Sequence, residues 1–340
     1  MQLPVSRGPI GSALIEALET SDLGFSFDQV HGLLDSALPA CDVLYDEDLQ
    51  LVLFILYELH YAGFEGIDDR WEWHPRLIEL RARIEDVLEA RLREAAGNIP
   101  EIEPRAEVVA EALFSMSQDT GGPSVASFVA RHADLDQAKE FLIHKSVYQL
   151  KEADPHTWAI PRLAGRAKAA LVEIQADEYG GGRSGHMHSE LFARTMEGLE
   201  LDSSFGAYIN QIPAITLASV NTMSLFGLHR RLRGAICGHL AIYEMTSSIP
   251  NSRYARGFRR LGFESPVTDY FDEHVEADAV HEQIAGRDLA GGLVEEDPST
   301  AEQVFFGAAA VCYLDDLVGR WQLDAWEQRQ SSLRKSLVQA

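Results

Sequence analysis

The chain has 340 residues, 46% of them hydrophobic, with 29 basic against 53 acidic side chains and a net charge of −24. That length and apolar content suit one large or two modest cores and exclude a disordered chain, while the acidity repels nucleic acid and anionic membrane and no basic patch offsets it. The class this points to is a soluble protein acting on a small molecule.

The opening residues, MQLPVSRGPIGSALIEALE, lack the charged-then-apolar pattern of a secretory signal, and no segment approaches about eighteen unbroken apolar residues, so a cytoplasmic location is expected. Cys41, Cys237 and Cys312 lie far apart and in no CxxC arrangement. Neither a disulfide framework nor a thiolate zinc site follows, and any metal must be held by nitrogen and oxygen. Helical periodicity dominates and runs of alternating β-branched residues are missing, which predicts an all-α fold. LQLVLFILYELHYAGF, residues 49–64, is apolar over most of a helical circumference and is expected to bury against a second copy or against the rest of the chain. A homodimer is the expectation, since symmetric dimers are the commonest oligomer. In RLIELRARIEDVLEARLREAAG, Leu77, Leu80, Ile84, Leu88 and Leu92 recur at helical spacing and Gly97 stops the run. GNIPEIEP, residues 97–104, is either an ordinary interhelix loop or, as the best boundary in the chain, the division between an N-terminal helical region (1–105), for packing or dimerisation, and the remainder (106–340).

Beyond that boundary helices are expected near 107–117, 124–133, 136–153, 159–179, 186–199, 206–228, 231–248, 251–261, 267–286 and 300–328, with GRDLAGGLVEEDPST (286–300) as a loop. The sequence holds no glycine fingerprint of a nucleotide fold, no Gly-x-Ser-x-Gly elbow and no internal repeat.

The residues that carry chemistry lie late in the chain. In DEHVEADAVHEQ, residues 272–283, His274, Asp278 and His281 share a helical stripe with Val267, Tyr270, Phe271 and Ala285. Asp269, Asp272, Glu276 and Gln283 project from the opposite side. Burying a carboxylate between two imidazoles is costly unless they are paired or bound to a cation, so a metal is the obvious candidate. Other helices would have to supply further ligands. Glu152 ends one helix, and Glu178 and His188 flank the run of three glycines in DEYGGGRSGHMH, where a helix is free to unwind. Taken singly, each has an ordinary rival: a solvated glutamate at a helix end, an acid beside a glycine turn, a hydrogen-bonded histidine. Glu244 sits in an apolar helix, either as the partner of a ligating histidine or hydrogen-bonded to backbone or Thr246. His239, Tyr243 and Arg253 are candidate pocket residues. Histidine and carboxylate donors without cysteine suit iron or manganese more than structural zinc.

LKEAD (150–154), DEYGGG (177–182) with a histidine ten residues after its glutamate, and His-x3-Asp-x2-His on a late helix resemble the heme-oxygenase-like di-iron oxidases and oxygenases, a superfamily of iron-containing redox enzymes. The resemblance runs over roughly residues 135–330. It implies a heme-oxygenase-like helical bundle, two irons (Fe2+/Fe3+), dioxygen as co-substrate and an external electron donor. It also implies metal ligands Glu152, Glu178, His188, His274, Asp278 and His281. Members oxygenate amines at nitrogen, decarboxylate fatty acids oxidatively, or desaturate and fragment amino acids, so the expected activity is oxidation of a small amino acid, amine or carboxylate in specialised metabolism. Many members carry a glutamate three residues before the histidine of the second motif, where this chain has Gly185. A carboxylate there would stand one helical turn before His188; glycine predicts one iron held well and the other weakly. The alternatives are a metal-free oxidase of the same fold, like the cofactorless oxidase of quinone-cofactor biosynthesis, and a non-catalytic helical iron-binding protein.

Overall fold

The computed structural model describes residues 1–20, 23–24, 26–99, 101–118 and 124–334, apart from the side chains of Ala40 and of residues 276–279. Among the described residues there is no strand, and no helix is long and apolar enough to cross a membrane. The helices are α1 (Pro9–Glu19), α2 (Asp28–Ala37), α3 (Glu47–Glu58), α4 (Pro75–Ala96), α5 (Ala106–Met116), α6 (Val125–Arg131), α7 (Leu135–Gln149) and α8 (Asp154–Thr157). They continue with α9 (Gly165–Glu178), α10 (His188–Gly198), α11 (Ala214–Leu228), α12 (Arg233–Arg260), α13 (Asp269–Gln283), α14 (Gly292–Glu296) and α15 (Ala301–Glu327).

Helix α3 begins where Asp46 accepts hydrogen bonds from the amides of Asp48 and Leu49 at 3.0 and 2.9 Å, satisfying donors that a helix start leaves open. Every residue from Asp48 to Glu58 is buried, because α1, α4 and α11 cover the helix. Packing within the chain thus accounts for its all-round apolar sequence. Helix α4 turns its leucine stripe inward and ends at Gly97, whose φ of +66° is the left-handed conformation glycine adopts freely. Helix α7, the first of those that carry the site, starts at a capping box between Asp134 and Gln137.

The long helix α12 lies at the centre, packed against α6, α13 and α15. Two glycines set its distance from α15. A Cβ on Gly238 would stand 1.9 Å from the carbonyl oxygen of Val304, and one on Gly307 would stand 1.9 Å from that of Ala235. The backbones therefore touch reciprocally, and Phe226, Ile236 and Phe306 close the core around them.

Three expectations are corrected. The helices read at 231–248 and 251–261 are one, α12, with Pro250 inside it; proline removes one backbone bond, and the helices packed on either side hold the axis through it. The stretch read as a loop after residue 286 is a π-helical segment, Ile284–Gly291, followed by α14. Its glycines are contact points instead of helix stops, since a Cβ on Gly286 would meet Met245 Cε at 2.4 Å and one on Gly291 the Ala106 carbonyl at 2.6 Å. Helices read as starting at 159 and 206 begin later, at Gly165 and Ala214, the second directly after Pro213.

Gly238→Ala and Gly307→Ala are each expected to destabilise the fold by roughly 1–3 kcal/mol or more, the usual cost of overpacking. Gly32→Ala, in α2 with open space around it, should stabilise by about 0.5–1 kcal/mol. Urea denaturation of the three variants checks both signs.

Candidate metal centre

Four helices bring the predicted side chains together. Glu152 lies three residues past the end of α7, Glu178 is the last residue of α9, His188 the first of α10, and His274 and His281 sit two turns apart on α13. All five are buried. The glycine run between Glu178 and His188 makes the return possible: Gly180, Gly181 and Gly182 have φ of +64°, +61° and +74°, and a Cβ on Gly180 would meet the His186 carbonyl carbon at 2.6 Å. An ordinary side chain would hold the two ligand-bearing ends apart.

The donors form two groups. Glu152, Glu178, His188 and His274 present donor atoms all within 4.8 Å of one another, and so do Glu178, Glu244 and His281. Glu178 belongs to both. The side chain of Asp278, which the sequence puts in this set, lies outside the described residues; its position on α13 is one turn beyond His274. Glu244, read from the sequence as a partner of a ligating histidine, reaches the donor group itself from α12, with Oε2 3.5 Å from His281 Nδ1.

Orientation is imposed from outside the cluster. His274 Nδ1 lies 2.7 Å from the carbonyl of Tyr270, so its N–H is used there and Nε2 is turned toward Glu152 at 3.8 Å. His281 Nε2 lies 3.0 Å from Asp177 Oδ2, which turns Nδ1 toward Glu244. The Tyr270 hydroxyl donates to Glu152 Oε2 at 2.9 Å. Asp177 and Tyr270 were not singled out from the sequence as site residues, although one adjoins Glu178 and the other precedes His274 by one turn.

The electrostatics are those of a site built for a cation. Burial alone would raise the Glu152 carboxyl, but His274 holds it below the usual range. For Glu244 burial prevails over His281 and the pKa is raised. Burial would lower His281, yet Glu244 and then Asp177 carry it to about 9; Glu178 likewise overcomes burial and raises His188. Donor geometry supplies an independent test of fit. His188 Nδ1 and Glu178 Oε2 approach to 2.9 Å, yet among the described residues neither buried atom has a hydrogen-bond partner of acceptable angle. Buried polar atoms are rarely left so, and two donors converging on a common point instead of on each other is what an ion would satisfy.

A cavity of about 170 Å³ opens beside the cluster, lined by Glu152, Glu178, Glu244 and His274. Of the three candidate pocket residues only Tyr243 lines it. His239 lies beneath Tyr243, ring centroids 4.4 Å apart, and its Nδ1 is 3.3 Å from His156 Nε2; burial keeps His156 neutral, its pKa lowered to about 4. Arg253 stands about 100° around α12 from the cavity-lining Tyr254. Gly185 is not one turn before His188 on a shared helix, because α10 begins at His188. Its φ is +84°, its carbonyl accepts from Arg194, and a Cβ there would point at Arg194 Nη2, 3.3 Å away.

Adding Fe(II) or Mn(II) under argon to metal-free protein is expected to raise the melting temperature by several degrees and to release protons. At pH 7, His281 is protonated without metal and must lose a proton to bind one. Glu178→Ala should abolish the shift. Calorimetry in buffers of different ionisation enthalpy measures both effects.

A family model for iron-containing redox enzymes matches residues 139–316, just over half of the chain. A nitrosourea synthase from Streptomyces achromogenes subsp. streptozoticus is 30% identical over 245 residues, covering 69% of this chain and 51% of that protein. The chain thus spans about half the length of the relative it matches. With an all-α fold and a buried histidine–glutamate cluster inside the matched region, the chain belongs to the heme-oxygenase-like family of iron-containing redox enzymes.

Proposed function

We propose that the chain is a non-heme di-iron oxidase or oxygenase that uses dioxygen to oxidise a small amino acid, amine or carboxylate in specialised metabolism, by N-oxygenation or by oxidative C–H or C–C cleavage. The observation that carries this reading is the position of Glu178 in both donor groups: one carboxylate shared between two sets of nitrogen and oxygen donors suits a bridged pair of ions better than a single one. Glu152, His188 and His274 would hold one iron and Glu244 and His281 the other, with Asp278 as a further ligand from α13. When bound, iron supplies electrons and open positions for dioxygen.

The protein's own part is positioning. The Tyr270 carbonyl and Asp177 fix the two α13 imidazoles, so that little reorganises when an ion enters. The Tyr270 hydroxyl stays protonated, its pKa raised by burial and by Glu152, and so neutralises part of the charge on Glu152 without competing for it. Phe141, Phe192, Leu240 and Phe271 keep the cavity wall apolar and limit water at the cluster. A metal-free oxidase would have no use for three buried glutamates among three histidines. A relative named for making a nitrosourea supports a nitrogen-bearing substrate.

Anaerobic titration with Fe(II), followed by dioxygen and Mössbauer spectroscopy, should give two irons per chain and an antiferromagnetically coupled ferric pair. One iron per chain, or uncoupled ferric ions, would overturn the reading. Because Glu244 belongs with His281 to the second donor group, Glu244→Ala should reduce iron content to about half. Gly185→Glu should add no affinity and should lower stability, since its backbone conformation disfavours any side chain.

A further inference from the structure

The cavity is a slot between α7 and α12. Phe141, Lys145, Tyr148 and Glu152 line it at intervals of four, three and four residues, the spacing of a single helical stripe, and Tyr243, Ser247, Pro250 and Tyr254 do the same from α12. Tyr148 faces Tyr243, ring centroids 6.0 Å apart, and Phe141 faces Tyr254 at 4.4 Å. The two helices therefore run in opposite directions, and the slot has a cluster end at Glu152, Glu178 and Glu244 and a far end at Phe141 and Tyr254.

Two opposite charges face the slot away from the cluster. Lys145 stands seven residues before Glu152, roughly 10 Å along the helix, and Asp315 enters from α15. Among the described residues neither side chain makes a hydrogen bond, nor an ion pair within 4.0 Å, with the other or with any other group. Both line the same cavity, and, in keeping with that, desolvation by the surrounding protein raises the Asp315 carboxyl pKa while the Lys145 ammonium opposes the rise. Asp315 lines the slot together with Tyr243 and Tyr254 of α12. Asp315 is exposed and Lys145 half-buried, so both charges are accessible to a ligand that enters the slot.

We propose that Lys145 and Asp315 form a subsite for an α-amino acid head group, with the ligand's carboxylate against Lys145, its ammonium against Asp315, and its side chain directed along the slot toward Glu178. The proposal rests on the oxidase reading for the side chain's fate, but not for the binding itself. Three glutamates at the cluster end repel a carboxylate, so an anionic group is driven to the lysine. Both complementary charges lie at the same end, which fits a molecule whose cation and anion share one carbon better than an extended diamine, a fatty acid or a simple amine. The cavity, at about 170 Å³, is below the roughly 300–1,000 Å³ common for drug-sized ligands, and suits one small metabolite.

Calorimetric titration of the metal-free full-length protein with each of the twenty proteinogenic amino acids and with norleucine identifies a binder; its decarboxylated amine and its deaminated acid are then compared with it. For norleucine these are pentylamine and hexanoate. The amino acid should bind at least roughly tenfold more tightly than either analogue, as expected of two charge-assisted pairs. Lys145→Met should erase the advantage over the amine, and Asp315→Asn the advantage over the acid. Binding of none of the amino acids at millimolar concentration, equal binding of an analogue, or an equal loss for all three ligands in both variants would overturn the proposal. If the two residues were only a structural pair, each single variant would lower the melting temperature, the double variant would restore it, and ligand preference would not move. Iron stoichiometry measured on the same variants separates this outcome from failure of the di-iron reading, since neither residue belongs to the donor groups.

Discussion

Three glutamates and three histidines are held close together inside a helical core, and much of the rest of the structure answers that one electrostatic demand. Carboxylates removed from water repel one another and lose hydration worth several kcal/mol apiece. The chain offsets part of this with imidazolium partners, as His281 beside Glu244 illustrates, and leaves the remainder for a cation. The helices that bear these residues are consequently clamped elsewhere. The reciprocal glycine contacts between α12 and α15 fix the helix that carries Glu244, and the glycine turn after α9 lets Glu178 and His188 come from two helices yet face one point.

The N-terminal helices contribute to the same end. Lys151, next to Glu152 in the chain, is buried and bonds to Glu58 at the end of α3, with its ammonium 4.2 Å from the centre of the Tyr61 ring. The adjoining pair Lys151 and Glu152 is thus held between two acidic surroundings, one on the N-terminal side and one at the cluster. A change in α3 would move the backbone that presents Glu152. Cation–π contact and a charge-assisted hydrogen bond in a desolvated setting are each stronger than their surface equivalents, so this tie is well suited to hold a turn that lies outside any helix.

Orientation and access are arranged on opposite sides of the donor set. Asp177 and the Tyr270 carbonyl take the outward nitrogens of the two α13 histidines, and the remaining nitrogens, Nε2 of His274 and Nδ1 of His281, point inward. The slot between α7 and α12 approaches from the other side, so a molecule held there meets the cluster along its glutamates and His274. The π-helical segment that follows α13 belongs to this arrangement too, since such segments shift the register of a helix and here Gly286 and Gly291 allow it to press against Met245 and the start of α5.

By itself the sequence determined the helical class, because apolar periodicity depends only on neighbours three and four residues away, as in the stripe from Leu77 to Leu92. It also marked the chemistry: His274 and His281 stand on an apolar face where a charged cluster needs a reason, and Glu178 and His188 bracket a glycine run. What only the tertiary structure decided is which groups meet. Continuity of α12 through Pro250, the helical path of residues 284–296, Glu244 reaching the donors from a different helix, and Lys145 and Asp315 lining one slot all depend on contacts between segments tens to more than a hundred residues apart. Local propensity scores proline and glycine as breaks, but packing overrides propensity where a missing side chain lets two backbones touch, and no spacing along one chain reveals which face of a distant helix will be turned toward it.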